Sequence, residues 1–246
     1  MPLPTQKHRP TLDVTEAKVL LYGPPKVGKT TLVTSLDPDK TLLVATEPGY
    51  GAVSGYVQPV SSWQEFLQTG AELVRGNHPF ELVAIDTVDL LAKMCQDHVA
   101  KRLGVEHPSD LSYGKGWELV ANEFRLKLTK LANSGFGVWL VSHAQLAEQV
   151  GPGGVRRTIW QPTLATQARR FVVGWADYIF FATTLESEDG AERVLRTKPS
   201  PAWEAGARGR PGVELPDPLP MDPGVVRAAL ARYASEVAGD RADAGE

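Results

Sequence analysis

A lysine set between glycine and two threonines, Gly28-Lys29-Thr30-Thr31, closes a loop that opens Gly23-Pro24-Pro25-Lys26-Val27. From Gly23 to Thr30 the residues fit G-x-x-x-x-G-K-[ST] without a gap, a spacing that turns backbone N–H groups toward phosphate oxygens. Lys29 is expected to reach the β- and γ-phosphates of ATP, and the Thr30 hydroxyl to join the shell of a Mg2+ ion. Asp86 follows the apolar run "LVAI", the setting of a carboxylate that holds the metal directly or through water; it also suits a helix N-cap. Hydrolysis needs a group that orients or deprotonates a water beside the γ-phosphate. No glutamate follows Asp86, where Thr87 stands, so Glu47 at the end of another apolar run is the candidate base. A solvated turn residue before Pro48 is its plainer reading. His143, in "VSHAQ" with Gln145, can sense the γ-phosphate or serve as a hydrogen-bonded structural histidine.

Positioning these groups requires strands that end together. Buried strands are predicted at 18–22, 41–46, 80–86 and 136–143, with two more in "ADYIFFATT" and "ERVLRTK". Helical apolar spacing is predicted after the loop (stopped near Pro38), at 61–76, in "TVDLLAKMCQDHVAKRL", through Trp117, Val120, Phe124, Leu128 and Leu131, at 164–172, and in "VVRAALARYASEV". Continuous apolar strands alternating with helices indicate an α/β fold: a mostly parallel twisted sheet with helices on both faces. Ligands of such sheets gather at the C-terminal strand ends, where Glu47, Asp86 and His143 lie. The division expected is an N-terminal arm at 1–15, an ATPase core at 16–220, a C-terminal helix at 221–238 and a disordered tail at 239–246.

The net charge of −3 argues against wholesale attraction to nucleic acid, although residues 151–210 hold nine basic and six acidic residues. No apolar run is long enough for a membrane span, and the opening "MPLPTQKHRP" lacks a signal-peptide stretch. The single cysteine, Cys95, excludes an internal disulfide and lies in an apolar helical pattern that predicts burial. A cytoplasmic protein with no membrane partner is expected.

The ordered set "GPPKVGKTTL", "TEPGYG", "LVAIDTVDLL", "YGKGW", "WLVSHAQ" and "RTKPSPAWEAGARGR" followed by "LP" resembles the RecA-like P-loop ATPases, and more narrowly the phage-type Sak single-strand-annealing group. The resemblance covers most of residues 16–220. It implies a RecA-like core whose Mg2+-dependent ATP hydrolysis is stimulated by DNA, acting in recombination or single-strand annealing. The expected partners are single-stranded DNA, further copies in a homo-oligomer and a single-strand-binding protein; a phage-encoded chain would work in the host cytoplasm. The large extra domain of full-length recombinases is missing, so strand exchange by this chain alone is not expected.

In RecA-like folds, loops after the third and fourth core strands contact DNA. The matching interval is "LAEQVGPGGVRRTIWQPTLATQARR", where Arg156 and Arg157 are expected on phosphates and Trp160 on a base. An exposed β-hairpin with its tip at "GPGG" is the alternative. A second candidate region, 101–116, holds Lys101, Arg102, His107, Tyr113 and Lys115. The resemblance also implies that Lys198 and Arg208 act in trans on a neighbouring protomer's nucleotide; the alternative is a solvated basic loop. The runner-up function is a P-loop kinase or regulatory NTPase acting on a small molecule or protein. The guanine-reading N-K-x-D is absent and no acceptor site is legible beside the lid-like "QARRF".

Overall fold

In the computed structural model, residues 12–187 and 190–239 are described, together with positions 3 and 5. The strands are β1 (Lys18–Gly23), β2 (Thr41–Ala45), β3 (Tyr56–Pro59), β4 (Leu82–Asp86), β5 (Gly137–Val150), β6 (Arg156–Pro162), β7 (Tyr178–Ser187), β8 (Gly190–Arg196), β9 (Gly206–Ala207) and β10 (Leu219–Pro220). The helices are α1 (Lys29–Ser35), α2 (Trp63–Arg75), α3 (Val88–Leu103), α4 (Lys115–Ala132), α5 (Thr166–Trp175) and α6 (Pro223–Ala238).

The sheet runs in the order β10-β8-β7-β1-β5-β4-β2-β3, with β6 pairing β5 and β9 pairing β7. From β7 to β3 every neighbour is parallel; β8 and β10 extend the β7 side antiparallel. This is the mostly parallel α/β architecture that the apolar runs predict. Alternate residues feed opposite faces, as the two-residue strand period requires. Val19, Leu21, Trp139 and Val141 pack with α1 and α6; Leu20, Val83, Ile85, Val138 and Leu140 pack with α2 to α5. Cys95 is fully buried in the second layer. Among the described residues, no helix is long and apolar enough to cross a membrane.

Local chemistry sets the element ends. Ser62 caps α2 by accepting from the Glu65 N–H, while Glu65 reaches back to the Ser61 N–H, and Gly76 takes the left-handed turn that stops the helix. Helix α3 likewise stops at left-handed Gly104. Gly116, in the first turn of α4, is buried where an added Cβ would sit 2.1 Å from the Pro108 carbonyl oxygen. The glycine of "YGKGW" thus lets α4 close on the preceding segment.

Most of the arm expected at 1–15 lies outside the described residues, but Leu12 and Val14 are buried in the first core layer. The carbonyl of Leu12 accepts from the Tyr178 hydroxyl at 2.8 Å, and that of Val14 from the Trp139 indole N–H at 3.3 Å. The C-terminal helix is part of the same core: Val226, Leu230 and Tyr233 of α6 are buried, and Arg227 bonds the Leu36 carbonyl at the end of α1. The tail expected at 239–246 falls outside the described residues after Gly239. Within 146–170 the chain takes the alternative form expected of it, an exposed β-hairpin. Ala144 to Val150 pairs antiparallel with Arg156 to Pro162, making the hairpin with its tip at 151–155.

Gly116→Ala is expected to cost about 1–3 kcal/mol of stability, because the methyl group must displace backbone rather than a flexible side chain. Urea unfolding followed by tryptophan fluorescence checks this.

Candidate functional site

Strands β1, β2 and β4 end at one rim, which β5 crosses at His143. Gly23 pairs with His143, Leu21 with Val141, Val141 with Asp86, and Asp86 with Ala45. The loop after β1, the metal-type carboxylate after β4, Glu47 after β2 and His143 on β5 therefore stand at similar height. An added Cβ on Gly23 would lie 2.4 Å from the Ala182 carbonyl oxygen, so the first loop residue must be glycine for β7 to pack alongside.

Beyond Gly23 the loop turns sharply. Lys26 and Gly28 adopt left-handed backbone (φ 64° and 102°). Helix α1 has neither a side-chain cap nor an acidic residue in its first turn, which suits an anion at that end. The Lys29 ammonium is buried and donates to the carbonyls of Gly23 and Pro24, both at 2.8 Å. Burial lowers its pKa, opposed by the negative charges of Asp86, Asp89 and Glu47. The lysine is therefore a tethered cation that gains from an added anion.

The Thr30 hydroxyl donates to Asp86 Oδ2 at 2.5 Å. Burial raises the Asp86 pKa, against the opposing effects of the Thr30 hydrogen bond and the Lys29 charge. These two oxygens form a hard-donor pair fitting Mg2+, which takes one or two protein oxygens and completes its shell from phosphates and water. Among the described residues no cluster of three or more His, Cys, Asp or Glu could hold a metal ion. Asp86 does not cap α3: the N-cap is Thr87, without a side-chain cap bond.

The Thr87 hydroxyl instead donates to Glu47 Oε1 at 2.7 Å, and His143 Nε2 lies 3.5 Å from the same oxygen. Glu47 is thus a held, part-buried carboxylate rather than a free turn residue. The His143 ring is anchored on one side only, since its buried Nδ1 has no partner among the described residues. Asp89, in the first turn of α3, fixes the strand beneath: it accepts from the Ser142 hydroxyl (3.0 Å), the Thr163 hydroxyl (2.6 Å) and the His143 N–H (3.3 Å). Asp89 was not singled out in the sequence, where "TVDLL" reads only as a helix start.

A cavity of about 540 Å3 opens over these groups, lined by Lys29, Thr30, Glu47, Asp86 and His143. Tyr50 and Val53, from the turn after Glu47, give it an apolar wall. Arg193 of β8 lines it from the opposite side; the sequence places it in the predicted strand "ERVLRTK" without singling it out.

The nucleic-acid candidates divide. Arg156 and Arg157 are exposed at the start of β6, Arg156 facing Glu148 at 3.5 Å. The half-buried ring of Trp160 stacks on Phe181 (centroids 5.9 Å, 24°), and its carbonyl accepts from the Tyr22 hydroxyl. In the second region, His107 bonds Ser109 and meets the Trp117 ring edge-on, Arg102 faces Glu123 at 3.6 Å, and Tyr113 is almost fully exposed with φ 58°.

The two trans candidates also separate. Lys198 is exposed and paired with Glu214 at 2.5 Å. Arg208 bonds the Gly174 carbonyl and faces Asp177, which in turn binds Lys18 at the N-terminal end of β1. That end is roughly 16 Å of strand rise from the phosphate loop. Arg208 therefore ties together the end of the sheet away from this chain's own loop.

Asp86→Asn tests the electrostatics. A raised folded-state pKa means the Asp86 charge opposes folding above that pKa, and that this penalty vanishes below the unfolded value. The substituted protein, without ligand, should melt higher than wild type at neutral pH, with the gap closing as pH falls through the carboxylate range. The melting shift produced by Mg2+ and ATP should be mostly lost. Thermal melts across pH, with and without Mg2+ and ATP, check both.

A search of curated proteins returns no match. A family model described as an AAA domain matches residues 15–209, most of the chain and every strand from β1 to β9. With the loop, its buried lysine and the Thr30–Asp86 pair all inside the match, the chain belongs to the AAA-domain family and carries a nucleotide-binding domain of the P-loop NTPase type.

Proposed function

We propose that the protein is a Mg2+-dependent ATPase that binds single-stranded DNA and serves recombination or single-strand annealing. The observation that carries the hydrolytic part is Glu47, held by Thr87 and His143 at the edge of the cavity that also contains Lys29 and Asp86. A carboxylate oriented in this way suits a base for the attacking water, while the imidazole is placed to register the γ-phosphate. Lys29 exchanges its two carbonyl partners for phosphate oxygens and offsets charge as the γ-phosphoryl group leaves. Bound Mg2+ would supply charge neutralisation on the phosphates, held by Thr30 and Asp86.

Support for the DNA part comes from connectivity. Strand β5 runs unbroken from the buried sheet through His143 into the hairpin that presents Arg156 and Arg157. A change at His143 therefore bears on the same strand that carries the basic tip. Phosphate contacts from two arginines give sequence-independent affinity, in keeping with an annealing role. Assembly into a homo-oligomer with Lys198 reaching a neighbour's nucleotide, cooperation with a single-strand-binding protein, and a cytoplasmic site of action belong to the same proposal.

Glu47→Gln should retain ATP binding and slow turnover by about a hundredfold or more, since the amide cannot take the water's proton. Nucleotide titration and phosphate release measured together check this; unchanged turnover returns Glu47 to a structural role. Arg156→Ala with Arg157→Ala should weaken single-stranded DNA binding alike across sequences and reduce the salt slope by about 0.7 per lost contact. Unchanged affinity and slope would move the DNA surface elsewhere.

A further inference from the structure

We infer that Arg193 is a phosphate clamp supplied by the protein's own β8, binding the nucleotide from the side opposite Asp86 and Glu47. The inference rests on the nucleotide-binding reading and adds a residue that the loop motif does not contain.

Its position is fixed by backbone on both sides. Arg193 pairs with Thr184 of β7, and its carbonyl accepts from the Met221 N–H at 2.9 Å. From there the side chain lines the phosphate cavity. An added Cβ on Gly28 would lie 3.2 Å from Arg193 Nη1, so the guanidinium rests against the loop just before Lys29. It is exposed and has no hydrogen bond or ion pair among the described residues.

An unpaired guanidinium beside a phosphate loop has an electrostatic use. In the sheet order, β5, β4 and β2 lie on one side of β1, and β7 and β8 on the other. Glu47, and the metal that Thr30 and Asp86 would hold, therefore lie on the β4 side of the loop. Oxygens facing β8 meet neither the metal nor Glu47. Arg193, which lines the cavity from β8 as Lys26 does from the loop, has planar donors suited to phosphate. Because it makes no contact that folding depends on, its removal should affect the ligand rather than the fold.

The test is equilibrium binding of ATP and of ADP, each with Mg2+ and with EDTA, to wild type, Arg193→Ala and Arg193→Lys. Arg193→Ala should weaken both nucleotides by about tenfold or more, and the loss should persist in EDTA because the clamp does not act through the metal. Arg193→Lys should recover part of the affinity, keeping the charge without the fork. The melting midpoint without ligand should stay at the wild-type value. Should Arg193→Ala lower it, Arg193→Gln, which keeps the stem, carries the same binding test. Wild-type binding that these variants leave within about twofold overturns the Arg193 assignment alone. Failure of the wild type to bind either nucleotide overturns the nucleotide reading and this assignment with it.

Discussion

The central strand β1 is flanked by parallel neighbours, β5 on one side and β7 on the other, and the rest of the site depends on that register. A parallel sheet places all its C-terminal ends at one rim, so groups far apart in sequence meet without any loop having to search for them. Gly23 is where the constraint is tightest, since its missing side chain lets β7 approach at the height where the loop begins. From that rim β1 contributes the loop and Lys29, β4 contributes Asp86, β2 contributes Glu47 and β5 contributes His143. The antiparallel β8 adds Arg193 from the far side.

The assembled site is electrostatically unsatisfied without its ligand. Burial disfavours the charge on both Lys29 and Asp86, and each offsets only part of the other's penalty. Lys29 leans on carbonyls and Asp86 on one hydroxyl, contacts that a phosphate chain and a divalent cation would replace with stronger ones. Asp89 contributes differently: by binding Ser142, Thr163 and the His143 N–H it fixes the junction from which the β5–β6 hairpin leaves the sheet. The cavity and the basic hairpin are thus joined through a short, well-anchored segment.

Much of this was legible in the sequence because buried parallel strands read as uninterrupted apolar runs. β1, β2, β4, β5 and β7 are legible that way, and α2 by its helical apolar spacing. β3 was not, because Tyr56–Pro59 is a short edge strand with little burial and a terminal proline, so no period distinguishes it from a turn. The interval after His143 left two readings open, because the same glycines suit a DNA-contacting loop and the tip of the paired hairpin that forms. Trp160 was expected on a base by its type and Arg208 in trans by resemblance, and neither reading names the neighbours that hold them. Phe181 claims the indole and Asp177 the guanidinium, and both partners are distant in sequence. Arg193 escaped notice for the same reason, since only the β7–β8 pairing carries it beside Gly28.

The central claim is that the rim formed by Lys29, Asp86 and Glu47 hydrolyses ATP. Its most direct test is phosphate release from ATP by the purified wild-type protein, measured with Mg2+ or EDTA and with or without single-stranded DNA. The account predicts turnover that needs Mg2+ and rises when single-stranded DNA is added. No phosphate release with Mg2+ and DNA both present, from protein that binds ATP, would contradict it.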